Sequence, residues 1–597
     1  MDTIAIIDFG GQYTHLIANR IRRLGAYSEI VSSNTNLTDL TRFKGIILSG
    51  SPHSVLNGKS PSVDVGVFGL GIPILGLCYG HQLMAKMLGG TVCRGHQREY
   101  GVANIDIPSD EGIFKSFNGT QQIWMSHGDA VEKLPPGFTI FGSTPDCETA
   151  AVGDPSRHFY GLQFHPEVTD TPNGMKLLSD FINECGVRRQ WDPNGFLSEI
   201  SENLRRDCGE RRVFLLVSGG VDSTVAFTLL NKTLGPERVL GLHVDNGLMR
   251  HWESRDIAEY MDEHGFHNLH SVDAGDEFLD ALKGVCDPEQ KRTIIGNTFL
   301  SVQQNEQKRL GLNTDEWLLG QGTIYPDTIE SAGTEHADKI KTHHNRVDII
   351  LEMIERGLII EPLAQLYKDE VRMLGEKLGL PKKLVWRHPF PGPGLGVRTL
   401  CSDGKPMEID SEIRRQVEQL ASGAGYKGYV LPVCSVGVQG DERSYAHPAL
   451  LVGKRDWAFL EQLSTSITNS IAGINRVVLG INTVGQPDYQ LIEAYITKER
   501  LDKLRAVDNI VTETLYDSGE YGEIWQMPVV LLPLINGDGN ECVVLRPVRS
   551  QEAMTARFMP LRESTVSRIV EQVEKLRGVG DIFFDITHKP PGTIEWE

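Results

Sequence analysis

The sequence predicts an α/β protein: two open, mostly parallel-sheet α/β domains in tandem, then a smaller α+β C-terminal domain that is internally duplicated. Three observations predict this. Short β-rich runs alternate with helical stretches through the first 185 or so residues. The same alternation restarts at Val213, and near the end a strand–helix–strand pattern occurs twice at nearly constant spacing. The expected domains are residues 1–188, 189–388 and 389–597.

In the first domain Ile4–Ile7, Gly45–Leu48 and Ile72–Leu75 read as buried strands, with Gly-rich turns at their C-terminal ends. Val187–Gly195 (V-R-R-Q-W-D-P-N-G) is polar, carries Pro and Gly, and reads as a linker. The second domain opens with a strand at Val213–Val217, turns at S-G-G-V-D-S, runs through helical Thr224–Leu234 and returns to a strand at Val239–Val244. It leads into R-H-P-F-P-G-P-G-L-G (Arg387–Gly396), too rich in Pro and Gly for a helix or central strand, hence an ordered loop or a domain joint. The repeat comprises Val436–Ser444, helical Trp457–Ala472 and a strand ending at Ile481, against Cys542–Ser550, helical Ser564–Arg577 and a strand ending at Ile586. The offsets agree, 549 − 443 = 106 and 586 − 481 = 105. Duplication would let one chain make, within itself, a contact that a two-fold dimer makes between subunits. The chain is therefore expected to be a monomer or a homodimer.

Composition excludes several classes of function. The net charge, 59 − 79 = −20, repels a polyphosphate backbone, so no nucleic acid is expected as partner. A local nest of backbone N–H groups can still bind one small phosphate against that field. The nine cysteines form no C-x-x-C pair, which argues against a disulfide framework or zinc knuckle and for a reducing compartment. The N-terminus enters an apolar strand without a basic leader, and the apolar run Met527–Ile535 is short and broken by two prolines. No membrane span is expected, and the location is expected to be cytoplasmic.

Gly76-Leu77-Cys78-Tyr79-Gly80 lies between an apolar strand and a helical pattern, a nucleophile elbow with cysteine in place of serine. Such a turn exposes the sulfur at the positive end of a helix, which favours the thiolate, and points the Tyr79 N–H at an oxyanion. Downstream, His165-Pro166-Glu167 puts a base and a carboxylate two apart in an extended segment, on one side of the chain. Cys78, His165 and Glu167 resemble the triad of the class I glutamine amidotransferases, and the likeness covers roughly the first 185 residues. The resemblance implies release of ammonia from glutamine through a glutamyl thioester. I-L-S-G-S-P (Ile47–Pro52) matches the family's second oxyanion loop, except that Ser51 replaces the usual second Gly. A positive φ at that position would strain a serine.

Ser218-Gly219-Gly220-Val221-Asp222-Ser223 stands between a buried strand and a helix, where backbone N–H groups, two hydroxyls and a helix N-terminus converge on an anion. It lacks the Gly-Lys-Ser/Thr ending of a γ-phosphate loop. The string resembles the pyrophosphate loop of the ATP pyrophosphatase family, which implies cleavage of ATP to AMP and pyrophosphate. Asp245 falls at the end of the next strand, where nucleotides lie on open parallel sheets.

A nitrogen donor beside an adenylating site implies amidation of a carbonyl-type oxygen. Further strings are similar to the GMP synthase family: Lys291–Gly296, Gly322–Ser331, Lys341-Thr-His-His-Asn345, Leu366–Arg372, Arg387–Gly396, Gly437–Tyr445, Gln526-Met-Pro528 and the terminal K-P-P-G-T-I-E-W-E. By that resemblance Arg292, Asp441, Gln526, Lys589 and Glu595 would bind XMP, and glutamine and ATP would be the co-substrates. Magnesium is expected to arrive with ATP, held largely by phosphate oxygens, with no dedicated protein metal site. His343 and His344 lack further ligands at suitable spacing. A tRNA-modifying enzyme with a similar loop is disfavoured by the acidic charge, and a non-catalytic relic by the intact Cys78, His165 and Glu167. Asparagine synthetase would need cysteine at the start of the mature chain, where Asp2 follows Met1.

Overall fold

A computed structural model describes residues 1–597 except 109, 193–194, 313–315, 328–355, 440–441, 484 and 551–554. The string Lys341–Asn345 with its two histidines, part of Gly322–Ser331, and Asp441 therefore lie outside the described residues. The chain forms two compact units, one of residues 1–206, 322–357 and 361–377, the other of residues 207–321, 358–360 and 378–597.

The first unit is built on a seven-stranded sheet. Its order is Tyr27–Ser32, Thr3–Asp8, Gly45–Leu48, Ile74–Leu77, Phe159–Leu162, Ala151–Asp154, Thr139–Gly142. The first five strands are parallel and the last two antiparallel. Thr3–Ile7 and all of Gly45–Leu48 and Ile74–Leu77 are buried, as expected of strands covered on both faces. A long antiparallel ribbon, Thr91–Ile107 with Gly119–Lys133, stands beside this sheet and was not legible as such in the alternation.

The stretch read as a linker is not slack. Trp191 is buried, donates its indole N–H to Glu370 at 2.7 Å and packs on Tyr27, with ring centroids 4.7 Å apart. Its partner Glu370 belongs to the helix Lys368–Lys377 and pairs at 3.1 Å with Arg22, on the helix Thr14–Arg23. The Arg22 guanidinium lies 4.6 to 5.2 Å from the rings of Tyr27, Trp191, Tyr325 and Tyr367, a cation–π cage that offsets burying the charge. Asp369 adds an exposed pair to Arg23. The string Leu366–Arg372, which follows the pyrophosphate-loop region in sequence, thus packs within the first unit.

The second unit contains two sheets. A five-stranded parallel sheet has the order Leu269–Asp273, Val239–Asp245, Arg212–Leu216, Trp317–Gly320, Ile359–Ile360. Successive strands run outward from Arg212–Leu216 in one direction, then resume on its other side, a topological switch point at that strand. In the eight-stranded sheet Leu451 faces Leu479 as Leu545 faces Phe584, so Glu442–Val452 answers to Glu541–Leu545. The expected match of Val436–Ser444 to Cys542–Ser550 does not hold, because Ser435–Gln439 is an extra strand paired to Glu442–Val452. Ser411–Gly423, Lys427–Val430, Glu442–Val452, Trp457–Ser470 and Ile474–Gly480 form one α-β-β-α-β set, with Ser435–Gln439 as its added strand. Lys498–Ser518, Val529–Ile535, Glu541–Leu545, Glu563–Val573 and Val579–Asp585 form another in the same order. In each set the second and third strands are parallel neighbours. The sets join through Ile474–Gly480 and Val579–Asp585, which pair antiparallel as Val478↔Asp585, Leu479↔Phe584 and Gly480↔Phe583. Under the offset of 105, position 478 maps to 583, 479 to 584 and 480 to 585. The pairing is therefore its own image, with a local two-fold axis at Leu479 and Phe584. The apolar run Met527–Ile535 supplies a buried strand here, and among the described residues no helix is long and apolar enough to cross a membrane.

Candidate active site

Cys78 stands between the strand Ile74–Leu77 and the helix Tyr79–Met87, with φ 50° and ψ −103°. A non-glycine residue there stores strain, which the flanking glycines and the packing impose. A Cβ at Gly80 would come 2.2 Å from the Leu48 carbonyl oxygen, and one at Gly76 would come 2.7 Å from the Gly80 backbone. Only glycine permits that approach. The Cys78 N–H donates to the Leu162 carbonyl at 2.7 Å, fixing the elbow to the neighbouring strand.

His165 and Glu167 meet as their spacing predicted, with Nδ1 and Oε1 2.7 Å apart, both residues buried. Burial pulls the His165 pKa down, but the Glu167 carboxylate and a hydrogen bond to Cys78 outweigh it and push the imidazole up to about 10. That favours the imidazolium form of His165. Arg20 Nε donates to the Glu167 carbonyl at 3.0 Å, and the Tyr13 ring sits edge-on to His165 at 4.9 Å. Gln163 was missed in the sequence. Its amide N–H donates to the Cys78 sulfur at 3.5 Å, and Gln82 Nε2 holds its carbonyl at 3.1 Å. The signal was present: Gln163 is two residues before His165, so the rule that aligned Glu167 aligns it too.

Ser51 does not carry the strain considered for it. Its φ is not positive, and its hydroxyl donates to the Phe9 carbonyl at 2.8 Å, bracing the loop. Gly50 faces the triad directly, since a Cβ there would stand 3.6 Å from His165 Cε1.

The S-G-G-V-D-S loop leaves the C-terminal end of Arg212–Leu216 and enters the helix Val221–Leu234, beside the switch point. Gly219 has φ +80° and would drive a Cβ to 2.4 Å from Ile257 Cδ1. Ser218 Oγ accepts from the Gly220 N–H at 3.2 Å and contacts Ser223 Oγ at 3.1 Å, which curls the loop around its own backbone donors. Asp222 lies in the first helical turn, within electrostatic reach of Arg387. Arg387, from the Pro/Gly loop, is half-buried and pairs with Glu253 at 3.0 Å. Asp245 ends its strand, with Oδ1 accepting from the Gly247 N–H at 3.0 Å.

Of the remaining candidates, Gln526 and Glu595 are in direct contact, Nε2 to Oε1 at 2.9 Å. Arg292 reaches the end of the same tail by donating to the Glu597 backbone oxygen, and also pairs with Glu289 at 3.0 Å. Lys589 stands at the tail's other end, its backbone exchanging hydrogen bonds with Ala556. Burial and then Arg546 lower its pKa. Asp441 is not among the described residues. What sequence reading missed is the polar frame under the tail. Asp585 pairs with Arg476 at 3.0 Å and Arg546 at 2.7 Å, all three fully buried. The two guanidiniums also donate to the Glu595 and Ile594 carbonyls, and Trp596 donates to Asp585 at 2.9 Å. Lys291, wholly buried, holds the Glu597 carboxylate at 2.7 Å.

A strained cysteine elbow backed by a His–Glu pair, on a chain that also carries a pyrophosphate-type loop, defines a glutamine amidotransferase coupled to a nucleotide-using domain. The glutamine amidotransferase class-I family profile matches residues 5–185, and the GMP synthase C terminal domain profile matches residues 513–596. A "Probable GMP synthase (glutamine-hydrolyzing)" of Leptospira interrogans is 47% identical over 610 residues, spanning 100% of this chain and 99% of that protein. The GMP synthase (glutamine-hydrolyzing) of Dictyostelium discoideum is 35% identical over 100% of this chain and 94% of its own length. That of Syntrophomonas wolfei is 42% identical over 81% of this chain and 98% of its own. The chain belongs to the glutamine-hydrolysing GMP synthase family.

Proposed function

We propose that this chain makes GMP from XMP, ATP and glutamine. One observation carries the reading: a chain of this family places the buried triad and the pyrophosphate-type loop on two separate compact units. In the first unit the Cys78 sulfur attacks the glutamine amide carbon. The carbonyl oxygen takes the negative charge against the Tyr79 N–H and the Gly50 loop. His165 gives its proton to the leaving nitrogen, ammonia departs, and water, deprotonated by His165, hydrolyses the thioester to glutamate.

In the second unit the XMP C2 oxygen attacks the α-phosphorus of ATP held on Ser218–Ser223, and pyrophosphate leaves. Ammonia then adds at C2, the C–O bond breaks, AMP departs with the oxygen, and the nitrogen loses a proton. Magnesium, when bound with ATP, would neutralise phosphate charge. The carboxylate of Asp222, in the first turn of the loop helix, is the kind of hard oxygen donor that ion takes. Arg292, Asp441, Gln526, Lys589 and Glu595 form the XMP site. The working domains are 1–188, 189–388 and 389–597, and the enzyme is cytoplasmic. Following XMP conversion by ultraviolet absorbance, with glutamine and with ammonium in separate runs, tests the reading. It requires GMP from both nitrogen sources and one AMP per GMP.

The C-terminal repeat is a duplication that works as an internal dimer. The two-fold register at Leu479 and Phe584 supports this. So does the family match at residues 513–596, which begins near the end of the helix Lys498–Ser518 and includes nothing of the first set. Light scattering should give a mass near 66.3 kDa with full activity at nanomolar concentration. A stable dimer mass would defeat the idea.

A further inference from the structure

The carboxylate of Glu595 is already gripped. Arg398 is fully buried and donates to it through two parallel bonds, Nε to Oε2 at 3.0 Å and Nη2 to Oε1 at 2.9 Å. Gln526 adds a third, to Oε1. Arg398 is itself held on both sides of its backbone. Its N–H donates to the Leu395 carbonyl at 3.0 Å, within the Pro/Gly-rich segment, and its carbonyl accepts from Leu531, in the strand after Gln526, at 2.8 Å. Its guanidinium lies 5.1 Å from the Phe390 ring. The next residue, Thr399, offers its carbonyl to Lys291 Nζ at 3.0 Å, and that ammonium holds Glu597. Three chain segments therefore close on the tail around one guanidinium.

An ionised carboxylate has about four acceptor sites. Arg398 takes two and Gln526 one, which leaves a single site, on Oε2. We propose that Arg398 is a positioning residue that turns Glu595 into a one-directional acceptor for a ring N–H of the purine substrate. This rests on the assignment of Glu595 to the XMP site. A fork of this kind fixes direction as well as distance, which a lysine's point charge does only in part. Without it the carboxylate can rotate, and recognition of the ring N–H weakens.

The test is the discrimination between XMP and XMP methylated on the ring N–H, in the whole enzyme with ammonium as nitrogen source. In Arg398→Met the KM for XMP should rise by about thirtyfold or more, the loss expected when one partner of a buried charge pair goes. The KM for the methylated analogue should change little, so that the ratio of the two collapses. Arg398→Lys should recover part of the ratio. If Arg398→Met raises both KM values equally, or leaves the XMP value unchanged, the positioning role is wrong. Glu595→Gln separates this from the reading beneath it. If that variant keeps wild-type discrimination, Glu595 does not read the base and the XMP assignment itself fails.

Discussion

A Cys78→Ala enzyme should make GMP from ammonium at the wild-type rate and make almost none from glutamine. The sulfur forms the bond to the glutamine carbon and does nothing to XMP or ATP, so its loss touches one half of the reaction. The glutamine-dependent rate should fall by on the order of 10⁴ or more, the scale seen when a covalent nucleophile is deleted from an assembled triad. Steady-state rates with each nitrogen source in parallel measure this. A matching fall in the ammonium rate would mean that the triad and the loop do not divide the work as proposed.

Asp222→Ala should remove activity with either nitrogen source. Adenylation precedes amination, so damage to the loop cannot be bypassed by supplying ammonia. The residue sits in the first turn of the loop helix, within reach of Arg387, where phosphate charge must be managed. Losing such a group from a preorganised site costs about 10² to 10³ in rate. XMP-dependent release of AMP and pyrophosphate should fall in step. Should the wild-type enzyme release ADP and phosphate instead, attack at the α-phosphorus is excluded.

How much of this was legible in the sequence depended on how far each feature reaches along the chain. The elbow was legible because its causes are local: a glycine two residues before the sulfur and another two after it, set between an apolar strand and a helix. Glu167 was legible because two-residue periodicity survives in any extended segment, and the same rule should have yielded Gln163. The helix after the pyrophosphate loop began at Val221, three residues before the apolar pattern suggested, since its first turn is occupied by the loop's own polar residues. Trp191 was misread for the opposite reason. Its neighbours are polar, and what buries it is an arginine on the first helix and a glutamate 179 residues further on. Arg398, Arg476 and Arg546 look like surface charges in sequence, and nothing local marks them as buried. Their partners lie in the C-terminal tail, joined only by the fold.

The seam between the two repeated sets has one more consequence. A residue on the axis of a homodimer must meet its own image, so each substitution there happens twice and has to suit itself. Here Leu479 meets Phe584, a pairing that no homodimer could place on its axis. Nearby, Asp585 anchors two guanidiniums while the equivalent position in the first set is Gly480. With both sets in one chain, each side of the axis can change alone, so the set that supplies Arg476 to the tail and the set that carries the tail can diverge in what they contribute.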